Sequence, residues 1–178
     1  MSRLAPLVRR LPLLSCVALV LAFGSPAVGA DPGPEKVELP PLAKGDPVLD
    51  VATAKGVQSY DLATIEELGL YRLTTTGPFE DGAPTFEGLL LADLLAKAGM
   101  TESDGVELVA SDGYSFVIPR EDWTTYPLLL ATRQDGEPLE DRGPLRIIYP
   151  VSSHPELGDE SYNPRWVWAL TSMKAVNR

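Results

Sequence analysis

The sequence predicts an α+β fold, mainly β with one or two short helices, and three observations carry that expectation. Short runs of β-favouring residues recur between clusters of Gly, Pro, Asp and Ser. A helical hydrophobic period is clearest in one place, from Leu91 to Ala98. The runs follow one another without the helix that a parallel crossover needs between each pair, so the core is expected to be built on sheet.

Taken in order, residues 31–47 carry Pro32, Pro34, Pro40, Pro41 and Pro47 with scattered charge, which reads as an extended lead. The globular domain is expected over residues 48–178. Val48 to Ala52 and Val57 to Tyr60 read as short strands around the turn-prone Lys55-Gly56. Asp61 is placed to cap a short helix through Ala63, Ile65 and Leu68, closed by Gly69. Leu70 to Thr76 is a strand by composition. In Leu91 to Ala98, Leu91, Leu94, Leu95 and Ala98 share one face, and Gly99 stops the helix. Val106 to Ala110 and Tyr114 to Ile118 flank Ser111-Asp112-Gly113, a hairpin with its turn chemistry in place. Glu121 to Tyr126 suits a helical turn and Leu128 to Thr132 a buried strand. Leu145 to Tyr149 and Trp166 to Val176 are the last two strands, separated by a polar loop over residues 150–164. A loop of about 15 residues inside a compact domain points to function.

Residues 1–30 read as a cleavable export signal. Arg3, Arg9 and Arg10 precede an apolar run from Leu11 to Phe23, then Gly24-Ser25-Pro26, and Val28-Gly29-Ala30 supplies the small residues of a cleavage site. An uncleaved anchor is the alternative, but the run is short against the roughly 20 residues of a bilayer span. Leu13-Leu14-Ser15-Cys16 and Arg9-Arg10 are poor matches to lipoprotein and twin-arginine signals. The expected location is therefore periplasmic or secreted, with no stable membrane insertion after removal of the signal.

Formal net charge is −10 for the whole chain, and cleavage removes three arginines and no acidic residue. So acidic a domain repels nucleic acid and anionic lipid, and neither is an expected partner. The single cysteine, Cys16, lies inside the signal. The mature chain then has no disulfide, no thiol nucleophile and no thiolate for a metal.

Candidate site residues are few. His154, the sole histidine, opens the long loop beside Glu156, Asp159 and Glu160. It is a possible general base, although an exposed loop histidine explains it as well. A calcium site on Glu156, Asp159 and Glu160 lacks the regular spacing of a known loop. Asp112 and Tyr114 either serve the hairpin turn or face a cleft. Trp166 and Trp168 alternate with Val167, giving one aromatic face that either packs into the core, the commoner case, or, flanked by Arg165, lines an apolar pocket with one charged group at its rim. Arg146 interrupts an apolar strand and needs an acidic partner or an anionic ligand if buried; the solvated face is the simpler expectation.

An ordered set of short motifs carries a resemblance. Phe86-Glu87-Gly88, Leu91-Ala92-Asp93-Leu94-Leu95, Asp112-Gly113-Tyr114, Leu129-Leu130-Ala131, Asp135-Gly136-Glu137-Pro138-Leu139, Gly143-Pro144-Leu145-Arg146 and Tyr149-Pro150 together resemble the molybdopterin-binding domain of sulfite-oxidase-type oxidoreductases, in its small exported bacterial form. The resemblance covers roughly residues 48–178 and implies a mixed α+β domain with a central cleft. It also implies molybdopterin, whose metal takes one protein cysteine from the segment before Phe86. Here that segment is Leu73-Thr74-Thr75-Thr76-Gly77, with no cysteine. A lysine near the cofactor phosphate is implied too, and its position falls on Trp168.

Fold does not fix function. The expectation is a non-catalytic module with no catalytic or metal-ligating residue and no bound cofactor. It would use Asp112, Tyr114, Arg146, Arg165 and Trp168 as cleft residues for a small molecule, or bind a membrane or periplasmic protein. The alternative is a molybdopterin-dependent oxidoreductase whose metal has no protein thiolate.

Overall fold

The computed structural model describes residues 33–177, so the export signal expected over residues 1–30 lies outside the described residues. The chain forms two sheets, and the mainly β α+β architecture read from the sequence is the one observed. Strand β1 (Glu35–Val37) pairs with β4 (Leu70–Thr74), so the proline-rich lead contributes an edge strand to the first sheet. β4 continues to β5 (Thr85–Leu90), β5 to β8 (Leu129–Gln134), and β8 to both β9 (Glu137–Pro138) and β10 (Arg146–Ile148), every pair antiparallel.

The second sheet has the order β3 (Gly56–Tyr60), β2 (Leu49–Thr53), β11 (Leu170–Val176), β6 (Gly105–Ala110), β7 (Ser115–Pro119). Its β2–β11 pair is parallel and joins the two ends of the domain, while the others are antiparallel.

Three helices connect the strands. In α1 (Leu62–Glu66) the Asp61 carboxylate accepts the Thr64 N–H at 2.8 Å, the cap expected from sequence. The Thr64 side chain first, then that bond and a second from the Gly45 N–H, hold the Asp61 carboxyl below its ordinary range. Helix α2 (Leu91–Ala98) buries Leu91, Leu94 and Leu95 and ends at Gly99, whose φ of 72° a side chain would resist. Helix α3 (Arg120–Thr125) buries Asp122 and Trp123. A single apolar core runs through both sheets, from Leu49 and Val51 to Leu89, Leu108, Leu130, Ile147 and Met173.

Two segments depart from the reading of the sequence. Trp166 to Trp168 are not part of the last strand, which begins at Leu170. Trp166 closes a 3₁₀ turn (Glu160–Arg165), Trp168 makes an isolated bridge to Arg146, and Ala169 bends the chain with φ 45°. The 150–164 loop is also ordered into two 3₁₀ turns, Pro155–Gly158 and Glu160–Arg165, the second capped by the Asp159 side chain. The lead is tied down beyond β1 as well: the Pro40 carbonyl accepts from Arg133 Nη2 at 2.8 Å, and Arg133 is itself in a buried bidentate pair with Glu66.

Candidate functional site

A cavity of about 420 Å³ opens between the β6–β7 turn, the loop after β4 and the 163–168 segment. The turn supplies Asp112 and Tyr114. Asp112 Oδ1 accepts the Tyr114 N–H at 2.9 Å, and Gly113 takes φ 87°, so turn chemistry and placement at the cavity are one feature rather than alternatives. Tyr114 Oη donates to the Pro164 carbonyl at 2.7 Å, which ties the turn to the far wall. Trp166 and Trp168 both line the cavity, and the Phe79 ring meets Trp168 edge-on at 4.8 Å. The indole N–H groups of both tryptophans are buried without a partner among the described residues.

Arg146 lies behind Trp168. Its side chain is 2% exposed and its Nη2 donates to Glu80 Oε1, so the solvated-face expectation is corrected. The reason is local: the loop after β4 folds over the strand and brings a carboxylate to a guanidinium packed 5.3 Å from the Phe86 ring and 5.8 Å from Trp168. Arg142 covers Trp168 at 4.7 Å and donates to the Phe79 carbonyl at 3.0 Å.

Arg165 points elsewhere. Its Nη1 donates to both Asp122 oxygens at 2.7 and 2.8 Å, and its guanidinium lies 4.2 Å from the Tyr162 ring. Burial opposes its charge, yet the Asp122 bonds outweigh that and hold its proton more tightly than usual. Tyr149 Oη donates to Asp122 Oδ2 at 2.7 Å. Burial first, and the Asp122 charge second, push the Tyr149 hydroxyl far above its ordinary value.

Asp112, Tyr114 and Trp168 therefore meet at one cavity, with Arg146 behind its wall and Arg165 outside it. His154 stands apart, its Nδ1 3.5 Å from Glu156 Oε1 and its ring against Tyr126. The calcium arrangement is not formed: Asp159 Oδ1 caps the second 3₁₀ turn at Ser161, bonds that keep its carboxyl below the usual range. Among the described residues no group of three or more His, Cys, Asp or Glu is placed to hold a metal.

Sequence reasoning missed Phe79, Glu80, Asn163 and Pro164. Arg146 gave the one usable signal, since a guanidinium inside an apolar strand asks for a carboxylate that Glu80 supplies from a turn-rich segment of otherwise unremarkable composition.

Residues 75–155 match the family model of the oxidoreductase molybdopterin binding domain. The resemblance read from the sequence is thus borne out. Among solved structures, the protein is similar to the sulfane dehydrogenase SoxCD from Paracoccus pantotrophus, with 17% identity and a TM-score of 0.53. That match covers 77% of this chain and 40% of that one, so the chain spans well under half of that structure's length. At such identity the likeness shows the shared fold alone. No curated protein matches this sequence.

The segment that the resemblance makes the cysteine position borders the cavity, since a Cβ on Gly77 would lie 2.6 Å from the Trp166 ring. Within it, Thr75 is buried and its hydroxyl is engaged with the Thr76 and Tyr149 carbonyls and the Ser152 N–H. Thr74 pairs with Thr85 across the sheet. The cavity lining holds one carboxylate, no thiol and no cation; Arg146 and Arg165 lie off the lining with their charges paired to Glu80 and Asp122, each keeping one buried Nε–H without a partner among the described residues. A soft metal on dithiolene and an anionic phosphate call for thiolate and cations, so this lining does not fit the group after which the family is named.

Among the described residues no helix is long and apolar enough to cross a membrane.

Proposed function

We propose that this protein is an exported, non-catalytic binding module that keeps the molybdopterin-binding-type fold and uses its aromatic cavity to hold a small molecule. The observation that carries the reading is the charge arrangement at the cavity. The two arginines expected at the cleft, buried Arg146 and half-buried Arg165, are each paired with a carboxylate of the protein itself, and the one charged lining residue, Asp112, is acidic. Four of the eight lining residues are aromatic, the composition of a site for a compact, largely apolar ligand. The basic start, apolar run and small-residue site of residues 1–30 support export to a periplasm or to the outside of the cell. A protein partner is the other occupant consistent with a non-catalytic role; the cavity's volume of about 420 Å³, in the range of small-molecule sites, favours the small molecule.

The family match over residues 75–155 favours a second reading, an oxidoreductase whose molybdenum binds without a protein thiolate. One experiment separates the two. Mature protein is exported from a bacterial host with an intact cofactor pathway, then analysed for molybdenum and, after oxidation, for pterin fluorescence. The binding-module reading expects neither at significant occupancy in a folded sample. Near-stoichiometric metal and pterin would sink it and move attention to Thr74 through Thr76.

A further inference from the structure

We infer that the cavity selects a small organic cation, specifically one carrying a quaternary ammonium group; this deepens the binding-module reading and rests on it. The walls present the rings of Phe79, Tyr114, Trp166 and Trp168. Ring faces carry the negative part of the aromatic quadrupole and attract cations, tryptophan most strongly. The protein's own packing uses the same property, because Arg142 lies 4.7 Å and Arg146 5.8 Å from the Trp168 centroid. Those guanidiniums do not leave the site positive. Arg146 is paired with Glu80, and Arg142 lies within 3.8 Å of Glu80 and 3.6 Å of Asp141.

Hydrogen-bond inventory narrows the class. An anion needs donors, yet the Tyr114 hydroxyl is committed to Pro164, both indole N–H groups are buried, and the one further side-chain donor on the lining is the neutral Asn163 amide, with no cation beside it. A primary ammonium brings three donors that need acceptors, whereas the lining side chains that accept strongly are the Asp112 carboxylate, whose Oδ1 already takes the Tyr114 N–H, and the Asn163 amide oxygen. A quaternary ammonium asks for no hydrogen bond, only an electron-rich surface and a nearby negative charge. The exposed Asp112 carboxylate supplies that charge, and the overall −10 raises the local cation concentration.

The test titrates the mature chain with choline chloride and with 3,3-dimethylbutan-1-ol, its uncharged carbon isostere, at constant ionic strength. Binding is read by tryptophan fluorescence and by the indole N–H signals of Trp166 and Trp168. Saturable choline binding is expected, about tenfold tighter than the isostere. Asp112→Asn, which keeps a side-chain oxygen for the Tyr114 N–H and so preserves the turn, should weaken choline several-fold and leave the isostere unchanged, with circular dichroism unaltered. Equal binding of choline and isostere, or no effect of Asp112→Asn, overturns the cation assignment while the cavity remains a ligand site. If neither probe, nor indole added as a neutral aromatic, moves the two tryptophan signals, the cation assignment and the small-molecule reading both fall.

Discussion

The Arg146 guanidinium and the Glu80 carboxylate form an enclosed ion pair behind Trp168, with side-chain exposures of 2% and 8%. Removing one partner of such a pair leaves an uncompensated buried charge. Glu80→Gln is therefore expected to cost about 3–5 kcal/mol in urea denaturation. Combining it with Arg146→Met should recover most of that loss, because the lone charge is removed along with its partner. A single-variant loss below about 1 kcal/mol would mean that the guanidinium reaches water and behaves as a surface group.

Gly77 fixes the position of Trp166. A Cβ there would lie 2.6 and 2.9 Å from two atoms of the indole six-ring, close enough that the ring must move. Gly77→Ala should displace the tryptophan wall of the cavity and cost about 1–3 kcal/mol as local overpacking. The check is a shift of the Trp166 indole signal together with a lowered denaturation midpoint. An unchanged signal would show that the loop after β4 yields instead of the ring.

How much of this was legible in the sequence follows from the range of the forces involved. The Asp61 cap, the Leu91–Ala98 face ended by Gly99, and the Asp112-Gly113 turn are set by residues within a few positions of one another, and each lies where its local pattern put it. The two-tryptophan wall was visible as an alternation, although the chain there is bridge and bend rather than strand. What local pattern could not carry were partners separated by tens of residues: Glu80 for Arg146, Asp122 for Arg165, Pro164 for Tyr114. Arg165 left the expected cleft for that reason, since Asp122 on α3 holds it from the other side.

Asp122, Arg165 and Tyr149 make a pH dependence with a definite sign. The Tyr149 hydroxyl, buried and facing the Asp122 charge, keeps its proton well above the ordinary tyrosine value. Below roughly pH 10 both folded and unfolded chains hold that proton, and the group adds no slope. Above it the unfolded chain loses the proton while the folded one retains it, so stability falls as pH rises, by about 1.4 kcal/mol per pH unit for one such group. Urea midpoints at successive pH values from 8 to 11 are expected to fall more steeply for the natural chain than for Tyr149→Phe (roughly one proton's difference). Parallel curves would show that Tyr149 ionises as freely folded as unfolded.

The N-terminal lead is expected to matter more than its composition suggests. β1 covers the outer edge of β4 in register Glu35 to Arg72 and Val37 to Leu70, and the Pro40 carbonyl satisfies a buried Arg133 N–H. A chain beginning at Val48 keeps the apolar core but exposes the β4 edge and strips Arg133 of one acceptor. Unpaired strand edges recruit other chains. The truncated protein should therefore melt at a lower temperature and associate in a concentration-dependent way by size-exclusion chromatography, whereas the longer chain should not. Identical melting and elution would mean that β1 contributes neither to stability nor to protection of the sheet edge.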